Sequence, residues 1–243
     1  MTGMETLLLL LLISSIPVVA VLFWFRLSRY PFTFPMFAVS LLAGAVSVFP
    51  ALLLQHIITE RGFFNINFGK WDFFAYNFIH IALTEELGRL IMLIILFLLF
   101  RRFFYRGSVE ITQGEEAPET ADSRVYTDTM ACAAGLIAGF GFAVIESAVY
   151  GASDASNTLL RAFTAAPLHG ACGARVGVSI AMFTRSPGRA VSRFLIAVAL
   201  HGIYNIMLGI PGLLTSAAAV LIAVSALASS ILMIRNGMKE ISA

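Results

Sequence analysis

Apolar residues run along this chain in seven long blocks, each closed by a short polar segment. The blocks lie at about 5–25, 34–58, 75–100, 129–150, 162–183, 190–209 and 212–234. A helix needs about 20 mostly apolar residues to cross the hydrocarbon of a bilayer. The blocks are too long for strands and do not alternate. In lipid the backbone must satisfy its own hydrogen bonds, so each block is predicted to be a helix. Pro17, Pro35, Pro50, Pro167 and Pro211 fall near block ends or at expected kinks. The predicted fold is all-α: a polytopic membrane bundle of about seven transmembrane helices. It is read as one domain over 1–243 with a motif core at 80–209. The longest polar stretch, about 105–128, is acidic and reads as a flexible cytoplasmic connector. The segment 151–161 reads as a short loop that makes the fourth and fifth helices antiparallel neighbours.

Composition supports the membrane reading. The chain is 59% hydrophobic and 12% charged, with a mean hydropathy of +0.88, whereas a soluble domain carries about 25% charged residues. A net charge of +2 gives no reason to expect a nucleic-acid partner. Cys132 and Cys172 lie in small-residue apolar segments without CxxC spacing and read as packing residues. The start, Met-Thr-Gly-Met-Glu, lacks the basic region of a signal peptide, so Leu7–Phe25 reads as a retained helix.

Basic residues orient the bundle, since cytoplasmic loops carry an excess of Lys and Arg. With the N-terminus outside, the cytoplasmic side receives Arg26, Arg29, Arg101, Arg102, Arg106, Arg124, Arg185, Arg189, Arg193, Arg235 and Lys239. The outer side receives Arg61, Lys70 and Arg161, and Arg89 and Arg175 remain within spans. The C-terminus is then cytoplasmic.

Polar residues inside the blocks carry the chemistry. They are Glu85-Glu86 with Arg89, Glu146 in Phe-Ala-Val-Ile-Glu, His169 in Ala-Pro-Leu-His-Gly, and His201 with Asn205. An ionisable group in hydrocarbon costs about 2.5–3.5 kcal/mol on insertion scales, which calls for a common reason. The expected depths are about 15, 6, 11 and 12 Å from the outer helix ends for Glu85, Glu146, His169 and His201, at 1.5 Å per residue. All fall in the outer half, although their helices run in alternating directions. A shared wet cavity is therefore expected. Close small-residue spacings at Gly135 and Gly139, Gly170 and Ala174, and Gly173 and Gly177 allow the fourth and fifth helices to pack closely.

Glu85 and Glu86 lie four and three residues before Arg89, so either can pair with it on a helix. One carboxylate is then tied to the cation and the other is left to take a proton from water and return it. His169 and His201 with Glu146, or with a member of the Glu85–Glu86 pair, form a two-His, one-carboxylate set suited to a catalytic zinc. Without metal, one imidazole would orient water while His201 and Asn205, one turn apart, donate to an oxyanion. Taken singly, a Glu–Arg pair reads as a structural lock and a buried His as a structural hydrogen-bonder. Their coincidence at one depth favours a reactive site. Arg175 is expected to pair with a carboxylate or reach a carbonyl. Tyr150 and Tyr204 read as orienting aromatics, and His56 and His80 as residues near outer helix ends.

The order Glu-Glu-x-x-Arg, Phe-x-x-x-Glu-x-x-x-Tyr, His169 and His201-x-x-x-Asn205 resembles the PrsW intramembrane proteases, distant relatives of the CAAX prenyl endopeptidase/Abi group. The resemblance runs from Glu85 to Asn205. Gly-Phe-Gly-Phe-Ala-Val-Ile-Glu and Arg-Ala-Phe-Thr-Ala-Ala-Pro-Leu-His are its most specific stretches. It implies a multi-pass protein of the bacterial inner membrane that cuts a membrane-anchored substrate, such as an anti-sigma factor, near the outer face. It carries over Glu85 and Glu86 as the paired acids, Glu146 as the second-motif acid, and His169 and His201 as the two histidines. Arg89 stands where much of the family has Lys, and Asn205 where an acid occurs, which favours an oxyanion role over a ligand role. The family has been described both as zinc-dependent and as glutamate-type. Two other classes compete. One is a non-enzymatic scaffold or chaperone, resembling the scaffold subunit of gamma-secretase. The other is a proton- or ion-coupled transporter. Retention of all three glutamates disfavours the first, and the lack of a repeat disfavours the second. No sequence feature sets an oligomeric state.

Overall fold

A computed structural model describes residues 3–61, 71–104, 121–151 and 155–242. Among these residues there are helices and no strand. In chain order they are α1 (Gly3–Ser14), α2 (Ile16–Leu27), α3 (Phe34–Val46), α4 (Val48–Glu60) and α5 (Asp72–Ala75). A π-helical segment, Tyr76–Leu83, leads into α6 (Thr84–Leu99) and α7 (Arg101–Phe104). Then come α8 (Ala121–Gly151), α9 (Ala155–Phe163), α10 (Ala165–Met182), α11 (Pro187–Gly209) and α12 (Leu213–Ser242).

All seven predicted blocks fall on these helices. Phe34–Glu60, Arg124–Gly151, Pro187–Gly209 and Leu213–Ile241 are each long and apolar enough to cross a bilayer. Met4–Ser14 with Ile16–Leu27, bent by 40°, is a fifth when taken as one span. The prolines mark the breaks. Pro17 sits at the start of α2, and Pro50 removes the amide that would bridge Ser47 at the α3–α4 joint. At that joint the Ser47 hydroxyl donates to Gly44 O at 2.6 Å.

The centre of the bundle is α10. Ala165, Ala166 and every residue from Leu168 to Ser179 are buried. An 18-residue helix surrounded by protein need not be apolar, which is why it tolerates a histidine and an arginine. It lies against α8 with backbone touching backbone. A Cβ on Gly135 would come within 2.1 Å of Gly173 O, and one on Gly177 within 2.1 Å of Ala131 O. The small-residue spacing thus does what it was expected to do. Cys132 and Cys172 are buried and form no disulfide, and Cys172 Sγ donates to Ala197 O of α11 at 3.4 Å.

Two expectations about connectors need correction. The segment read as a loop over 151–161 contains α9. Its Ser and Asn residues hid a helix only nine residues long, whose apolar face is correspondingly short. The acidic connector over 105–128 also ends sooner. Residues 105–120 lie outside the described residues, but α8 already begins at Ala121. Its polar first turns extend beyond the apolar block and are tied by Asp128 to Arg185 near the start of α11.

Candidate active site

Glu85 and Glu86 open α6, directly after the π-helical turn. A π segment widens the helix and turns its side chains out of α-helical phase, and such segments are frequent at functional sites. Polar side chains close its loosened ladder: Asn77 Nδ2 donates to Phe73 O at 2.8 Å, and the Thr84 hydroxyl to His80 O at 2.6 Å. Glu146 lies near the end of α8, His169 near the start of α10, and His201 in the second half of α11. Helices of alternating direction therefore deliver all these residues to one end of the bundle. The Asp128–Arg185 pair marks the opposite end.

The predicted residues converge. Glu86 is fully buried, with Oε2 bonded to Arg89 and Oε1 2.8 Å from His201 Nδ1. His201 Nε2 lies 3.6 Å from Glu85 Oε2. His169 Nε2 is 2.8 Å from Glu146 Oε2, and its Nδ1 is 3.3 Å from an Arg89 nitrogen. The two imidazoles meet edge to face with centroids 4.9 Å apart. Phe142 supports the group from below, 4.7 Å from the Arg89 guanidinium and 5.1 Å from the His169 ring. Side-chain exposure is 0–2% for Glu86, Arg89, His169 and His201, but 16% for Glu146. Glu146 thus stands at the rim.

Hydrogen-bond roles assign the ring protons. A guanidinium only donates, so His169 Nδ1 accepts and Nε2–H donates to Glu146. A carboxylate only accepts, so His201 Nδ1–H donates to Glu86. This leaves the His201 Nε2 lone pair facing Glu85 Oε2, which is buried and has no hydrogen-bond partner among the described residues. Two acceptors face each other, an arrangement that suits a proton or a cation between them.

The donor set fits a metal once one contact gives way, because His169 Nδ1, the nitrogen that Glu146 leaves, here accepts from Arg89. Glu85, His169 and His201 each offer a ligand atom, all within 4.8 Å of one another. Each imidazole also has one nitrogen held by a carboxylate, Glu146 for His169 and Glu86 for His201. That backing is the usual support of a metal-binding histidine. The sequence left the third ligand open between Glu146 and the Glu85–Glu86 pair. Here Glu85 lies within the set, while Glu146 Oε2 contacts His169 Nε2 at 2.8 Å and Arg161 at 2.5 Å. Spacing along the chain gives depth but not azimuth, and Glu146 comes to His169 from the rim.

The other expected residues are more dispersed. Asn205 is half-buried one turn beyond His201, and among the described residues no hydrogen bond joins it to the acids or imidazoles. Arg175 reaches carbonyls and hydroxyls rather than a carboxylate: Ala171 O at 2.9 Å, Ser230 Oγ at 3.0 Å, Ser229 Oγ at 3.3 Å and Ala226 O at 3.4 Å. It pins α10 to α12. His80 stacks on Tyr76 and bonds Thr59 Oγ1 at 3.0 Å, and His56 is exposed. Tyr150 lies under Arg161, 4.3 Å from ring centroid to guanidinium. Arg161 was counted only as an outer-loop cation, because a polar loop was expected where α9 lies.

A helical membrane bundle closed around buried acids, imidazoles and an arginine defines an integral-membrane protein with a reactive centre. The model of the PrsW family intramembrane metalloproteases matches residues 33–231, most of the chain, and the protein belongs to that family. It is a multi-pass membrane protease. No curated protein and no solved structure matches the chain.

Proposed function

We propose that this protein is an intramembrane endopeptidase of the bacterial inner membrane that hydrolyses a peptide bond of a membrane-anchored protein, such as an anti-sigma factor, near the outer face. Its single protease domain spans the bilayer seven times, with the N-terminus outside and the C-terminus in the cytoplasm. The gathering of the polar residues at the end away from Asp128 and Arg185 supports this orientation, because basic residues cluster at the cytoplasmic end.

The observation that carries the reading is Glu85 Oε2, a buried acid oxygen with no hydrogen-bond partner among the described residues, facing His201 Nε2 at 3.6 Å. Every other acid of the centre has a cation or an imidazole attached. Glu85, His169 and His201 would hold a zinc ion, which when bound supplies Lewis acidity to a water and to the scissile carbonyl. The remaining residues hold that set in place. Arg89 and Glu86 fix His201, Glu146 fixes His169, and Asn205 lies on the face of α11 from which it can donate to an oxyanion.

A glutamate-type reaction uses the same oxygen, and its lack of a partner favours this as the second reading. Glu85 takes a proton from water as the oxygen adds to the carbonyl carbon. It returns the proton to the amine nitrogen as the C–N bond breaks.

Glu85→Gln and Glu86→Gln, each co-expressed with an anchored substrate, test the proposal. Both variants are expected to insert in membranes and to lose cleavage, Glu85→Gln by at least about 100-fold as for removal of a general base and Glu86→Gln by about 10–100-fold as for loss of the group that holds His201. Full cleavage by both would exclude the enzyme reading. Elemental analysis of active, purified protein separates the two chemistries: about one zinc per chain that is lost in His169→Ala supports the metal, and activity without any bound metal supports the glutamate.

A further inference from the structure

The two imidazoles are backed in matching ways. On one side Arg89 bonds Glu86, and Glu86 takes the Nδ1 proton of His201. On the other, Arg161 bonds Glu146 at 2.5 Å, and the same Oε2 takes the Nε2 proton of His169 at 2.8 Å. Each histidine is held by a carboxylate, and each carboxylate by an arginine. The first set lies on α6 and α11. The second is assembled from three helices, with its arginine on α9. We propose that Arg161 is a positioning residue of the active centre, and that α9 serves to carry it onto Glu146. This rests on the protease reading given above.

The anchoring of α9 fits that role. Thr158 and Ala162 face inward, and the Thr158 hydroxyl bonds Ser147 O of α8 at 3.3 Å. Leu159, Leu160 and Phe163 are exposed on its outer face. A short helix with one apolar exposed face and one arginine turned inward suits the lipid–water interface. Thr164, at a break with φ −120° and ψ −60°, separates it from α10, so it is set independently of the helix that carries His169. Tyr150 supports the guanidinium from one face.

The physical role is orientation. A carboxylate on a long side chain at the rim, 16% exposed, has several rotamers open to it. Bound to His169 alone, it can swing toward water. With Arg161 on the same oxygen, it is fixed at two points. His169 then keeps Nε2 as donor and Nδ1 as the nitrogen facing inward. Loss of such a supporting partner costs about 10–100-fold in activity or metal affinity.

The test uses the full chain in proteoliposomes with a fluorogenic membrane-anchored substrate, and four variants. Arg161→Met is expected to lower kcat about 10–100-fold with KM unchanged. Arg161→Lys is expected to restore at least half of that loss on a logarithmic scale, since it keeps a cation in reach of Glu146. Glu146→Gln and the double variant Glu146→Gln/Arg161→Met are expected to have equal rates, because Arg161 acts through Glu146. A readout independent of turnover is the 15N spectrum of His169 in detergent, where Arg161→Met is expected to mix the two ring tautomers. An additional loss in the double variant, or a change confined to KM, would show that Arg161 contacts substrate and would overturn the proposal. Equal loss in the Met and Lys variants, with a lowered melting temperature and an unchanged His169 spectrum, would reduce it to a structural tie. Wild-type cleavage with an unaffected Arg161→Met would refute this inference alone, whereas absence of cleavage in the wild type would refute the protease reading.

Discussion

Gly139→Ala tests most directly whether the α8–α10 contact sets the active centre. A Cβ at this position would lie 2.0 Å from His169 O, 2.5 Å from its carbonyl carbon and 2.7 Å from Gly170 Cα. A Cβ essentially never comes within 3.0 Å of such an atom and ordinary contact begins at 3.4 Å, so α8 and α10 must part by about 1.0–1.4 Å at the residue that carries the imidazole (3.0 or 3.4 less 2.0 Å). The obstructing atoms are backbone, and no rotamer change relieves the contact. Overpacking of this kind costs about 1–3 kcal/mol. A displacement of about 1 Å at a reacting group costs on the order of 100-fold in rate. The expected outcome is a protein that inserts in membranes, melts a few degrees lower and cleaves about 100-fold more slowly. Substrate processing in cells and melting in detergent give the two readouts. Gly188→Ala is the control, because nothing lies within 4 Å of its added carbon. A Gly139→Ala protein cleaving at more than half the wild-type rate would show that His169 is not held by this contact.

The two buried arginines should differ in what their loss costs. Arg89→Met leaves Glu86 fully buried without its cation, and is expected to destabilise by about 3–5 kcal/mol, read as a large drop in detergent melting temperature. Arg175→Met removes a buried cation whose acceptors keep other partners, since the Ser230 hydroxyl still bonds Ala226 O at 3.0 Å. A change within about 1 kcal/mol is expected, as for other buried charges replaced by apolar groups. A reporter active only in the cytoplasm, fused after Ala243, is expected to be active, and activity of a periplasmic reporter there would reverse the proposed orientation.

Much of this fold could be read in the chain, because bilayer thickness converts apolar length directly into helices. The convergence of the site was also legible, since Glu85, Glu86, Arg89, Glu146, His169 and His201 interrupt apolar runs at matched depths. What remained hidden depends on azimuth and on neighbours. Glu85 and Glu86 are adjacent, yet Glu86 is bonded to Arg89 and His201 while Glu85 Oε2 has no hydrogen-bond partner among the described residues. Which of them is so bonded depends on how α6 is rotated against α11, and nothing in Tyr-Asn-Phe-Ile-His-Ile-Ala-Leu announces the π segment that precedes it. The partner of Glu146 was missed for a similar reason. Arg161 sits in a polar stretch whose helix becomes visible only when packed on α8.

Where a Cβ on Gly139 would strike His169 O and one on Gly173 would strike Gly135 O, two helices share their carbonyls almost as a single plank. Glu146 and His169 ride on that plank, so the separation of their backbones is set by main-chain packing rather than by side-chain rotamers.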